Sequence, residues 1–175
     1  MMKKICVLIL GILLLTGCKE SIIDNYLDNQ QKYEAYYQSI LDNESFLQSS
    51  SYYSIEAVIN QIDEYYRFSV IVDRPNIAMY DIEMMAVIDD GSVSINYDVV
   101  MPASGIFDRS YSMIPFQSNE AAGFPSGIIL DGLCDKPNIK LLVMVSWKNA
   151  DRDVVYKEFF QLDARLYPEP AETES

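Results

Sequence analysis

Apolar and polar residues alternate with a period of two from Tyr52 onward, and this alternation constrains the fold more than any other feature. The clearest face of this kind is formed by Tyr66, Phe68, Val70 and Val72. Successive side chains of a strand point to opposite sides of a sheet, so alternation predicts strands that bury one face. The chain from Tyr52 is therefore predicted to be mainly β.

Turn residues separate the alternating segments. Ile62, Asp63 and Glu64 predict a tight hairpin, and Pro75 should end the second strand, because proline cannot donate to the ladder. Asp90-Gly91, between two alternating runs, is a strong hairpin signal. The predicted strands cover residues 53–61, 66–73, 77–89, 92–100, 127–133, 139–147 and 154–162, with a further edge strand within 109–116.

Short strands with regularly spaced turns are typical of an antiparallel β-sandwich, and the immunoglobulin-like or fibronectin-like plan is the fold predicted here. Trp147 on a core strand fits this plan, although the Cys…Trp…Cys spacing of true immunoglobulin domains is absent. The alternative is a small β-barrel.

A helix is predicted before the strands. Residues 19–50 contain neither glycine nor proline, and their apolar side chains recur at helical spacing. The sequence leaves open whether this amphipathic helix forms a stalk, packs on its own domain or binds a partner. The recurring apolar residues are Ile23, Tyr26, Tyr33, Tyr37, Ile40 and Leu47.

The first residues have the three-part pattern of a secretory signal. Lys3 and Lys4 precede an uncharged apolar stretch, residues 5–15, which small residues follow. The stretch is shorter than the about 20 apolar residues needed to span a bilayer.

The segment Leu15-Thr16-Gly17-Cys18 resembles the lipobox of bacterial lipoproteins. The resemblance implies a diacylglyceryl thioether on Cys18 and cleavage between Gly17 and Cys18. Acyl chains would then hold the protein at the membrane, because each buried methylene contributes about 0.8 kcal/mol. It further implies the exported face of a cell membrane, or of an outer membrane, since Lys19 is not the aspartate of the retention signal.

Four segments follow from these patterns. They are a lipoprotein signal peptide at 1–17, a lipid-anchored tether with its helix at 18–51, a β domain at 52–166 and a disordered acidic tail at 167–175. Removal of Lys3 and Lys4 with the signal would change the formal charge from −13 to −15. Such acidity disfavours nucleic acid and anionic headgroups as ligands, so the lipid on Cys18 must provide membrane binding.

Composition also narrows the chemistry. The chain has no histidine, which removes histidine-based catalytic triads and histidine metal ligands. Of three cysteines, Cys6 would leave with the signal and Cys18 would be lipidated if the resemblance holds, so Cys134 is expected to have no disulfide partner in the mature chain. We expect Cys134 to be a half-buried small hydrophobic residue rather than a reactive thiol. No enzyme, cofactor or metal site is predicted.

Acidic turns are the remaining candidates for an ion site. None of them has the spacing of a known calcium loop, and turns favour aspartate in any case. The pairs are Asp89 with Asp90, Asp131 with Asp135, and Asp151 with Asp153.

The long connection 101–127 is the best candidate for recognition, because long loops in compact domains often bind ligands. Its apolar residues would otherwise cap an open end of the sandwich. The predicted partner-binding residues are Phe107, Tyr111, Phe116 and Phe124.

The leading functional hypothesis is an exported, lipid-anchored envelope protein that presents a non-catalytic β domain to a protein or glycan partner. The first alternative is an accessory or scaffold subunit that docks on a membrane complex through the tyrosine-rich helix. The second is a surface hydrolase built on paired carboxylates.

Overall fold

A computed structural model describes residues 25–89 and 101–167, which form one α-helix, eight strands and a short 3-10 helix at Glu120–Ala122. The helix, α1, spans residues 25–41. The strands are β1 (Ser54–Ile62), β2 (Tyr65–Asp73), β3 (Met79–Ile88), β4 (Ala103–Ser104), β5 (Tyr111–Met113), β6 (Gly127–Cys134), β7 (Asn138–Lys148) and β8 (Val155–Leu166). The predictions of a mainly β chain and of a preceding helix are confirmed. The lipobox, the Asp90-Gly91 hairpin, the strand at 92–100 and nearly all of the acidic tail lie outside the described residues.

The strands form a single mixed sheet in the order β4-β3-β7-β8-β1-β2-β6, and β5 pairs with the edge of β3. Among the described strands, all the pairings are antiparallel except β1 with β8, where Val58 and Ile59 lie opposite Arg165 and Leu166. The sheet curls until β4 and β6, its two ends, nearly meet.

The immunoglobulin-like sandwich is not confirmed. The prediction of an antiparallel sheet is confirmed only in part, because β1 and β8 are parallel. The long hairpin of β7 and β8 pairs with β3 on one side and with β1 on the other. This hairpin joins strands that a sandwich would divide between two sheets. β8 lies along the edge of β1 that faces away from β2, and it reaches this edge only after the chain has passed through six intervening strands.

The alternation read from the sequence defines the inner core. Phe68, Val70 and Val72 of β2 are buried, as predicted, and Trp147 of β7 lies among them in the same core. The predicted hairpin between β1 and β2 is also confirmed, with Ile62 opposite Tyr65.

The helix packs on the outer face of the sheet, over β3, β7 and β8. Ile40 of α1 is fully buried there against Met85 and Met144, with Tyr33 and Tyr36 beside it. Of the three possibilities left open for the helix, the structure therefore shows packing on its own domain.

The helix is shorter than its residue spacing suggests. It ends at Leu41, and Leu47, predicted on the same helical face, instead forms a parallel bridge with Phe160 of β8. The Asn43 side chain donates to the carbonyl of Ser45 at 2.6 Å. Local bonds of this kind compete with helical backbone bonds, which explains the early end.

Candidate functional site

The connection 101–127 both contributes to the core and exposes a turn. Ile106 and Met113 are buried, so part of its apolar content does pack inside. Tyr111 begins β5, which pairs with the edge of β3 and confirms the edge strand predicted within 109–116. The residues after β5 project from the sheet as a tight turn.

Phe116 lies at the tip of this turn with its side chain fully exposed. The Gln117 amide donates to the Ile114 carbonyl at 3.1 Å, and Pro115 and Phe116 are the two central residues. The φ of Phe116 is +60°, a value that favours glycine at the third position of a turn whose second residue is proline. A bulky side chain there costs about 1–3 kcal/mol and gains no buried contact within the described chain in return.

A groove of about 400 Å³ runs beside the Phe116 ring. Arg74, which also has a positive φ of +49°, lies on its wall and follows directly after β2. The Arg74 side chain donates to Asp73 at 3.0 Å and to Ser54 at 2.9 Å, yet most of it remains exposed. The wall is completed by Pro75, Asn76, Ile114, Gln117, Ser118, Pro125 and Ser126.

The structure does not gather the four predicted binding residues into one site. Phe107 packs on the helix, with its ring centroid 5.8 Å from that of Tyr33. Tyr111 is half-buried, and the Arg109 guanidinium lies over its ring at 5.1 Å. Phe124 is half-buried as well and bridges to Asn119. Phe116 is the one that stands free of the fold.

A second groove, of about 340 Å³, marks the seam where the two ends of the sheet face each other. Ser104 of β4 and Asp108 lie on one side, and residues 127–130 of β6 lie on the other. Within the described residues, β6 pairs only with β2. Ile129 and Leu133 project from its outer face and are largely exposed.

A network of polar side chains fastens the helix to the sheet. Lys32 and Tyr36 donate to the two carboxylate oxygens of Glu83, at 2.8 and 2.5 Å. Burial, followed by the bond to Glu83, raises the pKa of Tyr36. The Tyr33 hydroxyl adds a bond to the Met101 carbonyl at 3.0 Å. All these partners belong to the chain itself. The hydroxyl groups of Tyr33 and Tyr36 are therefore already used in holding the helix on the sheet.

The sequence patterns do not predict a cluster of aromatic and polar groups around the buried Trp147. Trp147 stacks on Tyr156 and meets the edge of Tyr53, with centroids 5.5 Å apart in both pairs. Tyr53 Oη, Trp147 Nε1 and Glu158 Oε2 are all buried without a hydrogen-bond partner among the described residues. Burial first, and then the charge of Glu158, raises the pKa of Tyr53. The alternation of β8 predicts that Glu158 lies on the inner face of the sheet. It does not predict that Tyr53 and Trp147 lie near it, because they come from other parts of the chain.

Three of the remaining candidate groups, Cys134, Asp131 and Asp153, have partners within the chain. Cys134 is buried, and burial raises the pKa of its thiol, in line with the expectation of an unreactive side chain. Asp131 accepts a bond from Ser69, and Asp153 accepts one from Asn149 at 2.7 Å. Within residues 25–89 and 101–167, no three acidic or cysteine side chains are placed to hold a metal ion.

The described helix is not a membrane span, because it is neither long enough nor apolar enough to cross a bilayer. No protein-family model, curated protein or solved structure matches the chain. Cys18 and Gly17, the predicted lipidation and cleavage residues, lie outside the described residues.

Proposed function

We propose that the chain is an exported, lipid-anchored protein of the cell envelope whose β domain is a non-catalytic binding module. The anchor is supported by Leu15-Thr16-Gly17-Cys18 behind a short apolar stretch. The non-catalytic role is supported by the absence of histidine from the sequence and by the hydrogen bonds that Glu83, Asp131 and Asp153 accept within the chain.

The strained, exposed turn at Phe116 is the observation that carries the binding role. A residue that contributes to folding would be buried or unstrained, and Phe116 is neither. Strained backbone that the fold does not need is a common feature of binding sites. An exposed aromatic ring is also a frequent source of binding energy at protein interfaces.

The groove beside the ring defines how a partner would be held. Pro75 and Pro125 offer rigid apolar walls, and Arg74 adds a positive charge to an otherwise acidic protein. The partner, a protein or a glycan of the cell surface, inserts an apolar group beside Phe116 and places an acceptor at Arg74.

Site-specific photo-crosslinking in intact cells tests the binding role. A photoreactive phenylalanine analogue replaces Phe116 in one strain and Leu133 in a control strain, since both side chains are highly exposed. Leu133 lies six residues along β6 from Gly127, about 20 Å from the groove end of that strand.

We expect a discrete adduct from position 116 and none from position 133. Added purified wild-type protein should compete for the partner and lower the yield of the adduct, whereas the added F116G variant should not lower it. Equal labelling from both positions, or equal competition by both proteins, would contradict a site at Phe116.

A further inference from the structure

The direction of the helix determines which side of the domain is nearest to the anchor. Its side chains meet Phe107 after β4, then Glu83 on β3, and Lys157 of β8 lies 4.4 Å over the Tyr36 ring. The helix thus crosses the strands from the β4 side toward β8. Its first turn lies beside β4.

A small apolar surface, here called the aromatic corner, is exposed at this first turn. Tyr26 is 61% exposed, Leu27 48% and Phe107 51%. The ring centroids of Tyr26 and Phe107 are 6.1 Å apart. Phe107 also packs on Tyr33, and the Tyr33 hydroxyl donates to the Met101 carbonyl. The aromatic corner is therefore held in place by contacts with the rest of the domain.

The length of chain before the helix places this corner close to the lipid. Cys18 precedes Asn25, the first described residue, by seven positions. Seven residues span at most about 25 Å even when fully extended. A lipid on Cys18 therefore keeps the start of the helix within this distance of the bilayer surface.

We propose that the aromatic corner rests on the headgroup region of an uncharged, zwitterionic bilayer and sets the orientation of the domain. Tyrosine and other aromatic rings are favoured at this boundary, because one end is apolar and the other can remain hydrated. Asp28 directly follows Leu27, Asp108 directly follows Phe107, and the whole chain is acidic, so anionic headgroups do not favour the contact. This inference rests on the proposed lipid anchor at Cys18.

Depth-dependent fluorescence quenching tests the contact with the full-length lipidated protein. F107W and L27W variants are reconstituted into phosphatidylcholine vesicles with and without brominated acyl chains. Trp147 is buried and serves as the background in wild-type protein. The matched control is V155W on β8, an exposed position three strands from β4, about 14 Å across the sheet.

We expect brominated chains to quench the added fluorescence of the F107W and L27W variants and to leave V155W at the wild-type level. Replacing part of the phosphatidylcholine with phosphatidylglycerol should not increase the quenching. Vesicle flotation without quenching at positions 27 and 107 would overturn the aromatic corner while leaving the anchor intact. Equal quenching at position 155, or quenching that rises with anionic lipid, would also overturn it. Loss of flotation, together with an unmodified Cys18, would overturn both proposals.

Discussion

Phe116 combines a strained backbone with a fully exposed ring, and this combination is the basis of its proposed role in recognition. Its φ of +60° is a conformation that glycine adopts without strain, while its ring has no buried contact in the described chain that would offset the cost. From the sequence, Phe116 is one of four candidate binding residues, because it is aromatic and lies in a long connection. Only the backbone geometry separates it from Phe107, Tyr111 and Phe124, which contact the fold. Residue type alone carries no information about this difference.

The first prediction concerns stability at position 116. F116G should raise the free energy of unfolding by about 1 kcal/mol, because relief of strain exceeds the extra backbone entropy of glycine. F116A retains the strain and removes only an exposed ring, so it should change stability by less than about 0.5 kcal/mol. Urea denaturation measures both. A clear loss of stability in F116A would mean that the ring has a packing role.

Two tyrosines on opposite faces of the sheet give a second, matched prediction. Y36F removes a bond to the carboxylate of Glu83 and should cost about 1–3 kcal/mol. Y53F removes a buried hydroxyl that has no partner among the described residues and should leave the free energy of unfolding unchanged or slightly higher. Equal losses in both variants, measured by denaturant titration, would contradict the bonding pattern described for the core.

At the scale of elements, the sequence predicted the strands more reliably than their arrangement. Alternation in β1, β2, β6, β7 and β8 reflects burial of one face, which is a local property. The parallel contact between Val58 and Arg165 joins residues more than 100 positions apart, and no local pattern specifies it. The same limit applies to the groove, since Arg74 and Phe116 reach it from separate parts of the chain.

The helix provides the prediction at this scale. Ile40 is its most deeply buried residue, and I40A should cost about 2–5 kcal/mol, because a cavity would form against Met85 and Met144. L27A, on the exposed first turn, should change stability by less than about 0.5 kcal/mol in solution. Thermal or urea unfolding distinguishes the two. An I40A variant with an unchanged free energy of unfolding would show that the helix does not stabilise the sheet.

For the whole molecule, the proposed anchor and the described fold work together. With the proposed lipid on Cys18, the seven positions from Cys18 to Asn25 would limit how far the domain can move from a bilayer, and the bonds of the helix to Glu83 would pass this constraint to the sheet. The turn at Phe116 projects from the strand ends near Arg74, whereas the aromatic corner lies beside β4. The two exposed aromatic surfaces thus have different surroundings and different proposed roles.

Intact-mass measurement of the protein purified from its native membrane tests the proposed anchor most directly. We predict that residues 1–17 are missing and that Cys18 carries a diacylglyceryl group. We also predict that C18A leaves the chain unprocessed and abolishes its lipid attachment. A mature protein with an unmodified Cys18, or a C18A variant that is still cleaved after Gly17 and remains with the membrane, would contradict the proposal.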